Sequence, residues 1–536
     1  MTVSPPRGFG GVFRADETAR SVYAEAAGIG RIVPVAVAVP RDVEDVQTLV
    51  RWARSEGHAL VPRGSGSSMA GGAIGPGVVV DLSRLRGLGD ADRDARCIRA
   101  EVGALRGEVQ RRAAGAGLRF PVDPSSGEFC TIGGMVGTNA AGAHSLLHGP
   151  TRRWVLGIDC VFDDGSVATI RRNAAVPDVA ATRRFMTEAE PAVLAADIHP
   201  RRVLKNSSGY AVASYQRSRD LVDLLVGSEG TLALFTAVEL ALAPAAAASA
   251  SLLLSFVDLD SAVAAAIVSR EQGAAACELL DKTFLAIAAR GGTPLPVNAD
   301  AQAVLMIEIE AETSDAARAQ AEKLSVLLRA NGAEVSIMAV DKAREMELWA
   351  FRHAASPALS RLDPALRSMQ FIEDSAVPPE HLATYVRGVR DILAAHDTVG
   401  VIFGHAGDAH VHVNPLVDVS RPDWRARVGG ILDATTDLVA RLGGTLSGEH
   451  GDGRLRAPLL DRVRQESEMV LDRAVKNTFD PAGVFNPGAK VAEPGQTAID
   501  AVKYDPQLPP LPVAAQRALE TIERERAYSR FRLDLL

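Results

Sequence analysis

Three glycine-dense segments interrupt the first half of the chain, and they restrict its fold more than any other feature. The first, PRGSGSSMAGG at residues 62–72, holds four glycines and three serines. The other two are PVDPSSGEFCTIGGMVGTNAAGAHSLLHG at 121–149 and VGSEGTL at 226–232. Ordering three such loops costs chain entropy, which an extended ligand contacted by backbone N–H groups at many points would offset. Flexible solvent-exposed turns are the alternative, because glycine motifs also match by chance.

The loops fit neither a Walker loop nor a dinucleotide fingerprint. No Gly-Lys-Ser/Thr follows the first loop, and no strand–GxGxxG–helix context surrounds it. Around the loops the sequence predicts a helix over 40–57, a strand at 78–82 and further strands at CIRAEVGA, VLGIDCVF and LALFTAVEL. This mixture predicts an α+β fold rather than a regular parallel wound sheet.

The pattern changes after the alanine-rich stretch APAAAASAS at 243–251. Predicted strands and helices then alternate as SLLLSFV, DSAVAAAIVSREQG, AVLMIEIEA, SDAARAQAEKLSVLLRANG and AEVSIMAV. Units of this kind predict a second α+β domain with helices on one face of an antiparallel sheet. From Asp505 the chain is proline-rich, and an amphipathic helix is predicted over about 513–533.

Composition excludes several classes of protein. A chain of 536 residues is too long for a single hydrophobic core. The formal charge of −8 and the lack of a basic stripe argue against a nucleic-acid partner. No apolar run reaches the ~20 residues of a membrane span, and MTVSPPRGFGG lacks the apolar core of a signal peptide. We expect a cytoplasmic protein, with peripheral contact to the inner face of the membrane left open.

The four cysteines form no CxxC pair, which argues against zinc ribbons, iron–sulfur clusters and a disulfide framework. A metal would therefore be held by histidine and carboxylate groups. Two segments offer such groups, GHAGDAHVHVN at 404–414 and SGEHGDGRLR at 447–456. A polar sheet face and an ordinary turn are the alternative interpretation of these segments.

In a strand over HVHVN, the side chains of His410, His412 and Asn414 would share one face, with the valines in the core on the other. A turn over AGDA would bring His405 alongside His412. Glu449 could supply an oxygen from the second segment. Two histidines and one carboxylate are a common ligand set for a divalent metal with open positions.

Six ordered motifs resemble one family: PRGSGSS, DPSSGEFCTIGGMVGTNAAG, GSEGTL, GHAGDAHVHVN, GEHGDG and FDPAGVFNPG. They are similar to the FAD-dependent D-2-hydroxyacid dehydrogenases, which include D-lactate dehydrogenase, the glycolate oxidase D subunit and D-2-hydroxyglutarate dehydrogenase. This is a branch of the vanillyl-alcohol oxidase/p-cresol methylhydroxylase superfamily. Each motif is weak alone, but together they are specific, and they cover roughly residues 35–495.

The resemblance implies a two-part FAD-binding domain of that superfamily's type and an α+β cap domain with an antiparallel sheet. The implied divisions are an N-terminal extension (1–34), the FAD-binding domain (35–243), the substrate- and metal-binding cap domain (244–480), a return to the FAD domain (481–495), and a proline-rich linker with a terminal helix (496–536).

The resemblance also assigns the FAD contacts, and Arg63 to Ser68 would wrap the pyrophosphate. The implied contacts are Arg63, Gly64, Ser65, Gly66, Ser67, Ser68, Pro121, Asp123, Thr131, Gly133, Gly134, Asn139, Gly142, Gly227, Glu229, Gly230, Thr231 and Asn486. Relatives that bind flavin covalently through the first loop carry a histidine at the position of Ser67, so we expect non-covalent FAD. His144 and His148 are the alternative residues for a covalent bond to the flavin.

In the metal-dependent relatives, HxGDGNxH and EHG provide the ligands, which match His405, His412 and Glu449. The expected metal is zinc, with manganese or iron as alternatives. His410 replaces an asparagine of the relatives, and it would alter metal preference or contact substrate. His450 would take the hydroxyl proton while the C2 hydride passes to flavin N5, giving the 2-keto acid.

Substrate binding is expected to involve Arg352, in a predicted helix over 347–355, because a guanidinium can bind a carboxylate through two hydrogen bonds. Asn414 is a second candidate. A solvent-facing helical arginine is the alternative. Some relatives carry a lysine in KYDLS for a second carboxylate, but the matching stretch here is FIEDSAVP. Arg454 is the candidate replacement.

The leading hypothesis is an FAD-dependent enzyme that oxidises a D-2-hydroxy acid of the D-lactate or D-2-hydroxyglutarate type. One alternative is a non-redox flavin transferase of the alkyl-glycerone-phosphate synthase type; another is a non-catalytic flavin-fold subunit of a larger dehydrogenase complex.

The electron acceptor is expected to be separate from this chain, since the sequence has no NAD fingerprint and no cysteine motif for an iron–sulfur relay. The candidates are a quinone, a cytochrome, an electron-transfer flavoprotein and an iron–sulfur protein. The C-terminal tail either docks on its own domain or contacts this acceptor. A homodimer is left open.

Overall fold

A computed structural model describes residues 3–290, 297–298, 300–353 and 365–536 of the protein. The first half of the chain forms two four-stranded sheets and one two-stranded pair. Its strands are β1 (Val12–Arg14), β2 (Ala36–Val39), β3 (Leu60–Arg63), β4 (Val78–Asp81), β5 (Cys97–Glu101), β6 (Leu118–Arg119), β7 (Val155–Val161), β8 (Val167–Arg171), β9 (Leu234–Ala241) and β10 (Ala243–Pro244). Its helices are α1 (Glu17–Val22), α2 (Val43–Glu56), α3 (Arg106–Gly115), α4 (Ile132–Thr138), α5 (Ser145–His148), α6 (Ala180–Arg184), α7 (Glu190–Ala195), α8 (Val212–Ser218) and α9 (Leu221–Leu225).

The second half is built on one seven-stranded sheet. Its strands are β11 (Ala248–Phe256), β12 (Ala276–Asp281), β13 (Ala303–Ala311), β14 (Glu334–Ala339), β15 (Leu366–Ser368), β16 (Val399–His405) and β17 (His410–Asp418). The described helices are α10 (Leu259–Glu271), α11 (Lys282–Arg290), α12 (Ser314–Arg329), α13 (Lys342–His353), α14 (Leu382–Ala395), α15 (Trp424–Arg441), α16 (Gly453–Arg456), α17 (Leu460–Val463), α18 (Glu466–Phe479) and α19 (Val513–Glu525).

The first sheet has the order β1-β2-β4-β3, with β2, β4 and β3 parallel and β1 antiparallel to β2. Its strands alternate between two cores, as the two-residue period of a strand requires. In β2, Ala36 and Ala38 face the main core, whereas Val37 and Val39 face the opposite side. The second sheet, β5-β9-β7-β8, is antiparallel and shares the main core.

The sheet of the second half has the order β14-β11-β13-β12-β16-β17-β15, and all its pairs are antiparallel. Helices α10, α12, α14 and α15 pack on one face. Helices α11 and α13 pack on the other, so the prediction of helices on one face alone is wrong. The reason is that this second face is apolar as well, and Leu280 and Met306 need cover from Phe284 and Leu348.

The chain returns to the first half near its end. The backbone N–H of Leu60 donates to Val484 O at 2.7 Å, and that of Asn486 donates to Leu60 O at 2.8 Å. Helix α19 then covers the valine face of the first sheet, with Ala515 and Ala518 buried against it. The tail therefore docks on its own domain. None of the described helices is both long enough and apolar enough to cross a membrane.

Candidate active site

A single cavity of about 1200 Å³ extends between the glycine loops and the seven-stranded sheet. Its walls include most of the FAD contacts expected from the sequence, and these are Arg63, Gly64, Ser65, Gly66, Ser67, Ser68, Asp123, Thr131, Gly133, Gly134, Gly142, Glu229 and Gly230. From the sheet side come Glu278, Arg352, His405, His412, Asn414, Glu449 and His450. The structure thus brings the two groups of sequence-predicted residues to one space.

Glycine is required at two points of this wall. Gly66 has φ +75°, and a Cβ there would lie 2.2 Å from Nη2 of Arg63. A Cβ on Gly142 would lie 2.4 Å from the carbonyl oxygen of Asp123. Backbone therefore forms the cavity surface where side chains cannot fit. Ser68 Oγ is buried there and has no hydrogen-bond partner among the described residues, which fits a hydroxyl that contacts a ligand.

The side chain of Arg63 is directed into the protein. Its guanidinium donates to the carbonyl oxygens of Tyr23 (3.3 Å), Glu25 (2.8 Å) and Ala73 (3.1 Å). Arg63 itself is 2% exposed. Its side chain shapes the loop, so any contribution of residue 63 to binding a pyrophosphate would come from its backbone.

Five expected FAD contacts do not line the cavity, namely Pro121, Asn139, Gly227, Thr231 and Asn486. Two of them support the wall from behind. Asn139 ends α4 with φ +54°, and its Oδ1 accepts from the Arg152 N–H. Asn486 Nδ2 donates to the carbonyl oxygens of Gly72 (3.0 Å) and Glu229 (2.8 Å).

Arg454 is also behind the wall rather than in it, which corrects its assignment as a second carboxylate anchor. Its guanidinium donates to Asn486 Oδ1 at 2.8 Å and to the carbonyl oxygens of Gly71, Ile74 and Pro487. These contacts occupy the guanidinium inside the protein. Arg454 therefore joins the first glycine loop to the returning segment.

The histidines lie on the hairpin of β16 and β17. Its register pairs His405 with His410 and Phe403 with His412. Along β17, Val411 and Val413 are in the helix-side core, so the histidines occupy the opposite face, as the alternation predicts. A short 3₁₀ turn, Ala406–Asp408, connects the strands.

The three predicted metal ligands lie close to one another. The Nε2 atoms of His405 and His412 each lie 3.4 Å from Glu449 Oε1. Ligand atoms about 2.0–2.2 Å from a shared zinc ion, set at tetrahedral angles, lie roughly 3.3–3.6 Å apart. The donor set and its spacing therefore fit a divalent metal.

Each histidine is oriented through its other ring nitrogen. His405 Nδ1 lies 2.5 Å from Glu278 Oε1, and His412 Nδ1 lies 3.0 Å from the carbonyl oxygen of Glu373. Both partners are acceptors, so each Nδ1 carries a proton and each Nε2 is directed at Glu449. A contact of this kind commonly orients a metal-binding histidine.

Asp374 holds the loop that carries Glu449 and His450. Its carboxylate accepts from the backbone N–H groups of Glu449 (3.2 Å) and His450 (2.9 Å) and from the Ser447 hydroxyl (2.8 Å). It also lies 2.9 Å from Nε2 of His410. The buried loop is thereby fixed relative to the hairpin.

His450 lies beside the predicted metal ligands. Its ring stacks on that of His412, with centroids 5.2 Å apart and planes inclined by 6°. Its Nδ1 lies 3.2 Å from Glu373 Oε1, which also pairs with Arg456. Its Nε2 is 3.7 Å from Glu449 Oε1. A carboxylate therefore orients this imidazole at Nδ1, and Nε2 is directed towards the predicted metal ligands.

Lys205 is a buried cation that the sequence reasoning missed. Its Nζ lies 3.3 Å from Glu449 Oε2, 3.2 Å from Asp408 Oδ2 and 3.1 Å from the carbonyl oxygen of Gly142. It thus joins the second glycine loop to the hairpin turn and to Glu449. Because Lys205 binds Oε2, Glu449 presents Oε1 to the histidines.

The charges of this network favour a divalent cation. Its ion pairs join five carboxylates (Glu278, Glu373, Asp374, Asp408 and Glu449) with three fixed cations (Lys205, Arg352 and Arg456). Two negative charges are left over when the imidazoles are neutral. Burial lowers the pKa of His405 and of His450, but Glu278 and Asp374 respectively outweigh burial and raise each pKa to about 9.

Arg352 and Asn414 line the cavity, as expected for substrate contacts, but His410 does not. His410 is fully buried behind the site, its Nε2 on Asp374. Its Nδ1 has no hydrogen-bond partner among the described residues. Burial lowers the pKa of His410 to about 4, so this imidazole is neutral. The structure does not bring it to the space where a substrate would bind.

The residues that sequence reasoning missed are mainly the partners of the predicted ones. Glu278 offered a signal, because it is a charged residue inside the apolar strand ACELLD. Glu373 and Asp374 lie in FIEDSAVP, which the sequence marked as a departure from relatives without giving these residues a role. Lys205 offered none, because a single lysine in a loop gives no indication of burial.

Two family descriptions match the chain in order. Residues 34–171 match "FAD binding domain", and residues 245–489 match "FAD linked oxidases, C-terminal domain". The chain is 28% identical over 475 residues to the glycolate oxidase subunit GlcD of Bacillus subtilis (strain 168), covering 88% of this chain and 91% of that protein. It is 26% identical over 466 residues to D-2-hydroxyglutarate dehydrogenase of Stutzerimonas stutzeri (strain A1501), covering 85% and 90%.

Solved structures support the fold. The 4-ethylphenol oxidase of Gulosibacter chungangensis matches with a TM-score of 0.66 and 17% identity, over 90% of this chain and 94% of that one. An alkyldihydroxyacetonephosphate synthase matches with a TM-score of 0.63 and 18% identity, over 89% and 83%. At these identities the likeness concerns the fold alone and confirms the expected α+β class, while the match of residues 34–171 confirms the FAD-binding domain.

Proposed function

Because the chain belongs to the FAD-linked oxidases, in the branch of the D-2-hydroxyacid dehydrogenases and glycolate oxidases, we propose that it oxidises a D-2-hydroxy acid to the 2-keto acid. The substrate is of the D-lactate or D-2-hydroxyglutarate type, and the cofactors are non-covalent FAD and a divalent metal, zinc first. One observation carries the proposal: His405, His412 and Glu449 line the same cavity as the glycine loops.

Different side chains bind the substrate and the metal. Arg352 binds the substrate carboxylate, and Asn414, on the same strand face as His412, contacts the polar end of the substrate. His405, His412 and Glu449 hold the metal. When bound, the FAD accepts the hydride from C2, and the metal makes the substrate hydroxyl more acidic.

His450 takes the hydroxyl proton at Nε2, because its Nδ1 faces Glu373 and its Nε2 faces the ligands. A divalent cation beside this imidazole opposes the carboxylates that raise its pKa, and so favours the neutral form that a base needs. The electrons then leave to an acceptor other than NAD.

An anaerobic titration tests the proposal. The purified protein should be yellow, with one FAD per chain that acid denaturation releases. D-lactate or D-2-hydroxyglutarate should bleach the flavin, and the L enantiomers should not. Flavin that stays oxidised with a panel of D-2-hydroxy acids, while dithionite still reduces it, would contradict the proposed activity.

A chelated preparation tests the metal part separately. Removing the metal should abolish bleaching by substrate while the oxidised flavin spectrum persists, because metal and flavin contacts lie on different segments. Full-speed bleaching in metal-free protein would remove the metal from the mechanism.

A further inference from the structure

Glu278 is a buried carboxylate within a sheet, a placement that needs specific partners. It lies in β12, where its neighbours Cys277 and Leu279 face the helix-side core. Glu278 therefore faces the other side, towards the cavity that it lines. It is 1% exposed. Burying an unpaired carboxylate is strongly unfavourable, so the partners of Glu278 explain why it can be there.

Its two oxygens have different partners. Oε1 lies 2.5 Å from Nδ1 of His405, one of the proposed metal ligands. Oε2 accepts from Nε of Arg352 at 2.6 Å, the proposed carboxylate anchor. The guanidinium also lies over the ring of Phe403, 4.6 Å from its centroid. One carboxylate therefore joins the group that would hold the metal to the group that would hold the substrate.

We propose that Glu278 is a positioning residue that sets both the metal-binding imidazole of His405 and the substrate-binding guanidinium of Arg352. The proposal rests on the proposed function. An ionised carboxylate accepts hydrogen bonds at both oxygens, so His405 keeps its proton on Nδ1 and directs Nε2 to Glu449. The same carboxylate, together with the ring of Phe403, fixes the guanidinium of Arg352.

Replacing Glu278 by glutamine would disturb this arrangement without changing the size of the side chain. An amide offers one acceptor oxygen and one donor NH₂. If the oxygen accepts from Arg352, the NH₂ meets Nδ1 of His405. The imidazole must then move its proton to Nε2, which is the atom that should bind the metal.

The chain provides a matched control in Glu310, on the neighbouring strand β13. Its carboxylate also joins an arginine and a histidine: Arg119 Nη1 donates to Oε1 at 2.7 Å, and His148 Nε2 lies 3.2 Å from Oε2. Glu310 does not line the cavity. Glu310→Gln thus removes the same kind of ion-pair bridge away from the site.

The experiment compares wild type, Glu278→Gln and Glu310→Gln, purified with FAD and stripped of metal. Zinc affinity is measured on these metal-free proteins by competition with a chelator. KM and kcat are measured after zinc has been restored to saturation, with the D-2-hydroxy acid that bleaches the flavin. For Glu278→Gln we expect retained FAD, a zinc affinity lowered about 10–100-fold and a KM raised at least about tenfold. Glu310→Gln should match wild type in zinc affinity and KM.

Zinc affinity and KM at wild-type values in Glu278→Gln would overturn the proposal, as would equal losses in Glu310→Gln, which would indicate a purely structural role. If Glu278→Gln fails to retain FAD, zinc affinity and KM are measured on Glu278→Asp instead. It keeps the charge but is one methylene too short to reach both partners, so unchanged zinc affinity and KM would overturn the proposal, and a loss in either supports it. A wild type that binds none of zinc, manganese and iron overturns both the proposed metal function and the role of Glu278. A wild type that binds metal and turns over normally, with variants that do not differ from it, overturns the role of Glu278 alone.

Discussion

His450 is the side chain at which the proposed chemistry can be separated from binding. Its side chain contacts Glu373, stacks on His412 and lies 3.7 Å from Glu449, which places it beside the predicted metal ligands. We expect His450→Asn to retain FAD and metal while flavin reduction by substrate slows by a factor on the order of 10² or more, because the proton acceptor is lost. Stopped-flow absorbance under anaerobic conditions measures this rate.

The exposed His199 gives a control for that variant, since its side chain is 76% accessible. His199→Asn should reduce its flavin at the wild-type rate. An unchanged rate of reduction in His450→Asn would assign the base to another group.

The raised pKa of His405 predicts how metal binding depends on pH. Burial would lower this pKa, but Glu278 and Glu449 raise it to about 9. Below that pH the imidazole must release a proton before Nε2 can bind zinc. Zinc affinity should therefore rise with pH between 6 and 9, by about tenfold per unit for one released proton. Chelator competition at several pH values measures it, after correction for the chelator's own protonation, and an affinity independent of pH would contradict the prediction.

At the scale of single residues, the sequence could identify the proposed metal ligands but not their partners. Alternation along a strand marked His412, a turn placed His405 beside it, and the family motifs marked both of these residues and Glu449. Lys205 was missed because it lies 244 residues before Glu449, and no local pattern relates the two. The strand face on which His410 lies was predicted correctly. Its access to the substrate was not, because Asp374, which lies in another segment, binds the imidazole behind the cavity.

Among the elements, the first glycine loop allows the most direct test of cofactor binding. Gly66 has φ +75°, and its Cβ would collide with the Arg63 guanidinium. Alanine there costs about 1–2 kcal/mol in backbone strain alone and displaces the side chain that shapes the loop. We expect Gly66→Ala to lower the FAD content markedly, measured as flavin released per chain.

Gly115, at the end of α3, is the control because no atom lies within 4 Å of a Cβ built there. Gly115→Ala should keep its full FAD content. Equal FAD content in Gly66→Ala would show that this loop does not bind the cofactor.

Element prediction succeeded where a periodic pattern and an end signal coincide. Helix α10 begins after Asp258, whose side chain accepts from the Ser261 N–H, and β13 has the predicted bounds. The helices on the second face of the large sheet were harder to place. No helix was predicted over α11, and only a helix over 347–355 was predicted where α13 lies. Sequence periodicity also does not show which face of a sheet a helix covers.

For the whole molecule, the main surprise is that the tail forms part of the cavity. Glu520, Glu523, Arg526 and Tyr528 line it. Helix α19 also covers the valine face of the first sheet. The sequence showed the amphipathic face of this helix, but the sheet that receives it lies more than 400 residues earlier. The hypothesis that the tail contacts an acceptor protein stays a prediction.

Truncation of residues 506–536 should therefore damage the enzyme itself. It would expose Val37, Val39, Val61 and Val79 and open the cavity at one wall. A lower melting temperature and loss of FAD are expected, and both would mask any effect on an acceptor. A point variant that removes one cavity-lining side chain but keeps helix α19 separates the effect on the cavity from the effect on folding.

Tyr528→Ala is that variant. The ring of Tyr528 stacks on that of Phe129 with centroids 5.3 Å apart, and the Arg526 guanidinium lies 5.1 Å from the centroid of the Phe129 ring. This aromatic pair contributes about 0.5–1.5 kcal/mol and holds the tail against the cavity wall. Without it the wall is less well fixed, so we expect FAD to dissociate faster, by at most roughly tenfold, with a small decrease in melting temperature. Fluorescence of the released flavin measures this, and Arg530→Ala, an exposed position outside the cavity, should behave as wild type. If Tyr528→Ala holds FAD as tightly as Arg530→Ala, the tail closes the cavity without supporting the cofactor.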